Sequence, residues 1–339
     1  MKKLKLIILT SNLLLIICLS PLAQAETLKK LKVGVLQYGT VNWALNTLKE
    51  HNLDEKYGLD MEVIGLAGKD SSHVAIQGGS VDIIVTDWIW VTRQRAEGRD
   101  YTFFPYSNAV GSVMIPGDGS IQSLEDLRNK KLGVAGGPLD KSWLLLRAYS
   151  QKLLGEDLKD IVEPQFAAPP LLNELALRGE LSGAINFWHF AARLKAAGMS
   201  SMLHIPDVLE ELGVTRNVPL IGWVFHESWA KDNPEIAKGF LQASRDAAAL
   251  LLESDQEWER LKPVMKTDDD AIFKALRDAY RQGVPSCFGA EEVTASAKTF
   301  TIMAQLGGKK LAGQSDQLTA GTFWDGFELP SCNAAAANS

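Results

Sequence analysis

The residues best suited to bind a ligand lie in short loops that follow predicted strands of this 339-residue chain. In the stretch VDIIVTDWIW (residues 81–90), an apolar strand leads into Asp87, Trp88 and Trp90. Ligands of open α/β sheets bind beyond the carboxyl ends of the strands. We therefore expect these residues to line a pocket, with Asp87 either capping the next helix or binding an N–H group of the ligand.

Comparable loops follow the other predicted strands and contain aromatic, amide, hydroxyl and basic residues. The predicted ligand-binding residues are Gln37, Tyr38, Asn42, Trp43, Lys69, Ser71, Asp87, Trp88, Trp90, Gly137, Lys141, Trp143, Trp188 and Trp223. Core packing is the simplest explanation of any single tryptophan. Several tryptophans at loop positions together favour a wall for a flat ligand, because aromatic pairs add about 0.5–1.5 kcal/mol to the gain from burial.

Positive charge is also expected in this pocket. Helix N-termini are predicted near Ser71 and after Gly137, and such ends bind anions. Lys141 falls in the first turn of its helix, where a cation is disfavoured unless an anion is present. The pattern predicts an anionic ligand held by Lys141 and Lys69, although each basic residue alone is also explained as a solvated surface charge.

The N-terminal segment and the overall charge restrict the class of protein. Lys2, Lys3 and Lys5 precede an apolar run that is too short for a membrane span and ends in the small-residue sequence AQA at 23–25. Residues 1–25 thus predict a cleaved signal peptide and a periplasmic location. The formal net charge of −6 makes the chain a poor candidate for binding nucleic acid, which requires a basic stripe. We expect a monomer that binds a small molecule.

Two cysteines, Cys287 and Cys332, remain after the predicted cleavage. An even pair in an oxidising compartment predicts a disulfide bond. The chain-entropy model makes such a bond worth roughly 4 kcal/mol before any strain is subtracted.

Strands and helices alternate along the chain, which is typical of α/β proteins with mainly parallel sheets and crossover helices. We predict two such units, joined by two extended passages near residues 111–115 and 205–221 that form a hinge. The predicted lobe 1 comprises residues 26–112 and 218–332, lobe 2 comprises 113–217, and residues 333–339 form a disordered tail. No internal sequence repeat is evident.

The order of short motifs resembles the periplasmic solute-binding proteins of ABC importers, in the branch that binds nitrate, sulfonates, taurine and thiamine precursors. The matching segments are KVGV (32–35) with NW (42–43), GLDM (58–61), AIQGGSVD (75–82), and SLEDL (123–127) leading into KLGV (131–134). This resemblance implies a two-lobed fold that closes on its ligand and docks on a membrane permease.

The ligand is the least determined part of this interpretation. The expected tryptophan walls and lysines favour a planar aromatic anion, with pyrroloquinoline quinone as the lead candidate. An aminopyrimidine thiamine precursor and an organosulfonate are the alternatives. The chain shows no motif of a hydrolase, metalloprotease or nucleotide-binding enzyme, so we expect no catalysis and no catalytic cofactor. A ligand-presenting sensor module and an enzyme related to thiamine-pyrimidine synthases remain as other classes.

Overall fold

The computed structural model describes residues 27–332. The predicted signal peptide and the predicted disordered tail lie outside these residues. The described chain forms two mixed five-stranded sheets with helices on their faces. The predicted two-lobed α/β class is confirmed.

Ten strands form these two sheets. They are β1 (Lys29–Leu36), β2 (Leu59–Leu66), β3 (Ile83–Thr86), β4 (Tyr101–Ser107), β5 (Ser112–Ile115), β6 (Lys131–Ala135), β7 (Glu163–Ala167), β8 (Gly183–Asn186), β9 (Ser200–His204) and β10 (Ile221–His226). The first sheet has the order β2-β1-β3-β10-β4 and the second β7-β6-β8-β5-β9. We call the parts of the molecule around these sheets lobe 1 and lobe 2, while the residue boundaries given above stay a prediction.

Helices cover the sheets and extend beyond them. They are α1 (Val41–Glu50), α2 (Leu53–Lys56), α3 (Lys69–Gln77), α4 (Trp88–Ala96), α5 (Lys141–Leu154), α6 (Leu158–Ile161), α7 (Pro169–Leu177), α8 (Trp188–Ala196), α9 (Ile205–Glu211), α10 (Glu227–Asp232), α11 (Pro234–Glu253), α12 (Asp255–Met265), α13 (Asp270–Gln282) and α14 (Ala290–Ala312). The sequence reading missed the short helices α2, α6, α9 and α10, which lack the length that makes a helical period visible.

Each sheet contains one strand that runs against the other four. In lobe 1 this strand is β10, which is antiparallel to β3 and β4, and in lobe 2 it is β5, which is antiparallel to β8 and β9. Both are the first strand formed after the chain has passed from one lobe to the other. The two passages therefore enter the middle of a sheet and are anchored on both sides.

The two lobes repeat the same arrangement, which the sequence reading did not detect. Several lobe 2 residues carry numbers one hundred higher than their lobe 1 counterparts: Trp43 and Trp143, Trp88 and Trp188, Arg93 and Arg193, Gly98 and Gly198. The helix α4 starts at Trp88 and α8 starts at Trp188, and Gly98 and Gly198 both have positive φ. This equivalence allows position-by-position comparison of the lobes.

The C-terminal region connects the lobes by apolar packing. The helix α13 lies against α8, and α14 packs on α5 of lobe 2 while also touching α4 of lobe 1. Beyond α14, a C-terminal strap (residues 313–332) runs along the outer edge of β4, where Phe103 donates its N–H to the carbonyl of Thr322. The strap thus covers an edge strand that would otherwise be open.

The disulfide between Cys287 and Cys332 is present, with a Cα–Cα distance of 4.9 Å. It joins the end of the strap to the segment between α13 and α14. The predicted pairing is confirmed.

We expect the variant Cys332→Ala to unfold at lower urea concentration, with a loss of about 2–4 kcal/mol, because the unfolded chain gains conformational entropy. Equilibrium urea unfolding without reductant tests this. The wild type in dithiothreitol should approach the variant, and equal midpoints for the oxidised wild type and the variant would contradict the expectation.

A buried carboxylate ties α1 to α12. Glu257 accepts hydrogen bonds from Thr47 (2.6 Å), His51 (3.2 Å) and Arg260 (2.6 Å). Burial alone would raise the pKa of Glu257, but these hydrogen bonds outweigh it and lower the pKa to about 2. Because the folded-state pKa lies below the unfolded value, the ionised carboxylate stabilises the fold above about pH 4.5, and this gain disappears as the pH falls toward 2.

The variant Glu257→Gln should therefore lose up to about 3 kcal/mol of unfolding free energy at pH 7 and much less near pH 3. Urea unfolding at both pH values gives the comparison. Asp118→Asn, at an exposed turn, serves as the control and should change stability little at either pH. A deficit of Glu257→Gln that is equal at both pH values would show that its carboxylate charge does not matter.

Candidate functional site

Asp87 lies at the carboxyl end of β3 and begins the helix α4. Its Oδ1 accepts the N–H of Trp90 at 2.9 Å, which is a helix N-cap. The side chain is 7% exposed. Local sequence explains this placement, since Asp is among the preferred N-cap residues.

The other carboxylate oxygen of Asp87 accepts hydrogen bonds from one lysine of each lobe. Lys69, at the start of α3 in lobe 1, places its Nζ 2.7 Å from Oδ2, and Lys141, at the start of α5 in lobe 2, places its Nζ 3.1 Å from the same atom. Lys141 is 24% exposed and Lys69 is 55% exposed. The two predicted lysines and the predicted aspartate thus meet between the lobes. We call these three residues the lysine–aspartate cluster.

Electrostatics keep the cluster charged. Burial by itself raises the pKa of Asp87, but the charges of Lys141 and Lys69 outweigh it and hold this pKa well below its usual range. Burial by itself lowers the pKa of Lys141, but the nearby carboxylates of Asp87 and Asp140 raise it. An anion that enters between the lobes would compete with Asp87 for the ammonium groups of Lys69 and Lys141.

The loop that carries Lys141 has a fixed shape. Gly136 and Gly137 both have positive φ, and a Cβ on Gly136 would lie 2.8 Å from Oδ2 of Asp140. Asp140 caps α5 by accepting the N–H of Trp143 at 3.1 Å. The predicted residue Gly137 thus shapes the turn that presents Lys141.

Four of the predicted tryptophans lie in the protein core. Trp88 is fully buried against Phe300 and Phe323, and Trp143 is 2% exposed. Trp223 is 1% exposed and donates its Nε1–H to Ser244. Trp90 is 8% exposed and stacks on the ring of His73 at 4.2 Å. These placements disagree with the expectation of indole walls open to a flat ligand, because their rings present almost no accessible surface.

The remaining two tryptophans meet across the lobes. Trp43 on α1 and Trp188 on α8 pack edge to face with ring centroids 5.9 Å apart. Tyr280 on α13 contacts both rings, at 6.1 Å and 6.3 Å. Trp43 is 5% exposed, whereas Trp188 keeps part of its surface accessible.

The other predicted residues surround the loop after β1 or cap a helix. Tyr38 is 78% exposed beneath the ammonium of Lys266, and Gln37 is also exposed. The side chain of Asn42 donates to the carbonyls of Leu36 and Gly39 and so holds this loop. The hydroxyl of Ser71 forms hydrogen bonds with the N–H and the carbonyl of Gly68, which is the N-cap of α3. The helix therefore begins slightly before the start predicted near Ser71.

A family model described as "NMT1/THI5 like" matches residues 49–258. This match spans strands of both lobes and includes the lysine–aspartate cluster. The chain belongs to this family. No curated protein sequence matches the chain significantly.

Solved structures of the family fold include periplasmic binding proteins. The aliphatic sulphonate binding protein SsuA from Escherichia coli is 17% identical, with a TM-score of 0.71 over 89% of this chain and 94% of that one. The alkanesulfonate-binding protein SsuA from Xanthomonas axonopodis pv. citri, bound to MOPS, is 16% identical, with a TM-score of 0.64 over 87% and 98%. The nitrate-binding protein NrtA from Synechocystis PCC 6803 is 14% identical, with a TM-score of 0.53 over 74% and 69%. At these identities the likeness shows the fold, and the resemblance to ABC-type periplasmic solute-binding proteins is confirmed.

Two residues beside Trp188, at the carboxyl end of β8, are not among the predicted ligand-binding residues, and of these Phe187 escaped the sequence analysis. Phe187 is 39% exposed and occupies the position equivalent to Asp87. His189 is largely buried, and burial lowers its pKa to about 4, so its imidazole is neutral at pH 7. The duplication of the lobes is the signal that could have pointed to Phe187.

A large cavity lies away from the lysine–aspartate cluster. It has a volume of about 620 Å³ and lies beside the passages between the lobes, between α8, α13 and the strands β5 and β9. We call it the hinge-side cavity. Within residues 27–332, no group of His, Cys, Asp and Glu side chains is arranged to hold a metal ion, and no helix is long and apolar enough to cross a membrane.

Replacing Asp87 by Asn should lower the free energy of unfolding by about 1–3 kcal/mol. Asn keeps the helix cap but leaves Lys69 and Lys141 without their shared carboxylate. Thermal and urea unfolding measure the change. Asp207→Asn breaks an exposed pair with Arg216 and should cost at most about 1 kcal/mol. If the two variants were equally stable, the cluster would have no structural role.

Proposed function

We propose that this protein is a periplasmic solute-binding protein that captures a small anionic solute between its lobes and delivers it to an ABC permease. The observation that carries this proposal is that Lys69 of lobe 1 and Lys141 of lobe 2 converge on one carboxylate oxygen of Asp87. A solute anion that takes up the same ammonium groups would contact both lobes at once, so its binding would favour their closed arrangement.

An organosulfonate is the solute class that we favour. A sulfonate remains anionic throughout the physiological pH range and offers three acceptor oxygens to the two lysines. Two structural relatives are described as binding aliphatic sulphonate or alkanesulfonate. Phe187, which is 39% exposed at the carboxyl end of β8, provides apolar surface for the organic part of such a solute.

The alternative ligands have less support. The expected tryptophan walls are the reason to favour pyrroloquinoline quinone, but Trp88, Trp90, Trp143 and Trp223 are buried and offer a ligand almost no ring surface. An aminopyrimidine would need a free carboxylate at Asp87, and both oxygens of Asp87 already accept hydrogen bonds. The N-terminal sequence and the fold class support the periplasmic location that we propose.

Binding proceeds by exchange of partners at Asp87. The solute anion accepts hydrogen bonds from the lysines, and Asp87 keeps the N–H of Trp90 through its other oxygen. Charge-assisted hydrogen bonds of this kind are worth about 1.5–3 kcal/mol each, which corresponds to roughly tenfold to a hundredfold in affinity.

Isothermal titration calorimetry of residues 26–339 with ethanesulfonate, butanesulfonate and pyrroloquinoline quinone tests the proposal. We expect saturable binding of a sulfonate and a loss of at least about tenfold in affinity for Lys141→Ala. The control Lys30→Ala changes an exposed lysine on β1 and should bind like the wild type.

If no sulfonate bound, the proposal of an organosulfonate as the solute would be wrong. Sulfonate binding that is unchanged in Lys141→Ala would place the anion elsewhere and contradict the proposed site. If the quinone bound tightly and no sulfonate bound, a planar aromatic anion would be the favoured ligand.

A further inference from the structure

The hinge-side cavity has a counterpart in lobe 1 that is already filled. The helix α8, which forms one wall of the cavity, is equivalent to α4 of lobe 1. Along α4 the corresponding space is occupied by the C-terminal strap, in which Thr319 bonds the hydroxyl and the carbonyl of Thr92. Comparison of the two lobes therefore shows which chemical groups such a space accepts.

An aromatic ring and a carbonyl oxygen fill the lobe 1 space. The ring of Phe323 packs against Trp88 at 6.1 Å and Phe103 at 5.5 Å. The carbonyl of Ala320 accepts a hydrogen bond of 2.6 Å from Nε of Arg95. An apolar ring thus packs against Trp88 at the start of α4. Two turns later, a carbonyl oxygen accepts a hydrogen bond from Arg95.

The same positions of lobe 2 line the hinge-side cavity without such an occupant from the described chain. Trp188 corresponds to Trp88 and Lys195 to Arg95, and both line the cavity. Trp188 is partly accessible, whereas Trp88 is fully buried under Phe323 and Phe300. Small residues such as Ala196 and Ala279 leave the space between α8 and α13 open.

Polar groups in the cavity wall also lack partners. The side-chain oxygens of Asn108 and Ser201 are buried and have no hydrogen-bond partner among residues 27–332. Within the same residues Lys195 forms no ion pair, whereas Arg216 is paired with Asp207 and Glu210, and Asp278 is bonded to Arg277. Lys195 is therefore the cation in this wall that has no carboxylate of its own.

We propose that the hinge-side cavity is a second ligand site that binds a small aromatic carboxylate. The ring lies against Trp188, and the carboxylate accepts hydrogen bonds from Lys195. The volume of about 620 Å³ falls in the range of roughly 300–1,000 Å³ that is usual for small-molecule sites. None of the cluster residues Lys69, Asp87 and Lys141 lines this cavity, so the site is separate from the proposed solute site.

Occupation of the second site acts on the arrangement of the lobes. Its wall combines α8 of lobe 2, α13 and both passages between the lobes. A ligand that contacts all of them stabilises the arrangement in which α13 lies on α8, since it binds that arrangement better than any other.

The test uses 3-phenylpropionate as the probe and 3-phenylpropanamide as its uncharged analogue, in calorimetric titrations of residues 26–339. We expect saturable binding of the carboxylate and binding of the amide that is at least about tenfold weaker, because the amide offers no charge to Lys195. Lys195→Ala should weaken the carboxylate by a similar factor, and Ala196→Phe, which fills the cavity, should abolish its binding. Lys30→Ala is the control and should leave it unchanged.

A competition experiment separates this site from the proposed solute site. A saturating sulfonate should not displace 3-phenylpropionate. If no sulfonate binds, the titrations of Lys195→Ala and Ala196→Phe test this site on their own. Displacement by the sulfonate, equal binding of the amide and the carboxylate, or unchanged binding in both Lys195→Ala and Ala196→Phe would each overturn the proposal. Circular dichroism of the Ala196→Phe variant confirms that lost binding does not reflect lost folding.

Discussion

The arrangement of this molecule depends on one buried carboxylate that serves both lobes. With one carboxylate oxygen, Asp87 caps the N-terminus of α4 in lobe 1. With the other, it pairs with the ammonium groups of Lys69 and Lys141. A buried charge is tolerated only with such partners, since an unpaired one costs several kcal/mol. The loop of Gly136 and Asp140, which presents Lys141, must therefore keep its shape for the lobes to meet in this way.

The features that follow from local rules could be read from the sequence. Alternating strands and helices gave the fold class, Asp87 has the residue type of a helix cap, and an even pair of cysteines gave the disulfide. The contact between Lys141 and Asp87 could be predicted from the sequence only in part. Sequence placed both at the carboxyl ends of strands, but the contact between them depends on how the two lobes face each other.

The orientation of the tryptophans could not be predicted, because it depends on distant segments of the chain. Trp88 is buried because α14 supplies Phe300 and the strap supplies Phe323, both more than two hundred residues later in the chain. Its counterpart Trp188 has no such cover and stays partly accessible. The duplication of the lobes was hidden for a similar reason: position 87 is an aspartate and position 187 a phenylalanine, so the shared backbone carries different chemistry.

The strand orders have a consequence for how the protein is made. All five strands of the second sheet come from one uninterrupted stretch of chain, between residues 112 and 204. In the first sheet β10 lies between β3 and β4, although it is synthesised more than a hundred residues after them. When the chain becomes available for folding from its N-terminus onward, the second sheet can be completed while β3 and β4 still have unpaired backbone groups facing an empty position. The nascent chain is therefore most exposed to wrong strand pairing in this interval, and a chaperone that shields β3 and β4 would protect it until β10 arrives.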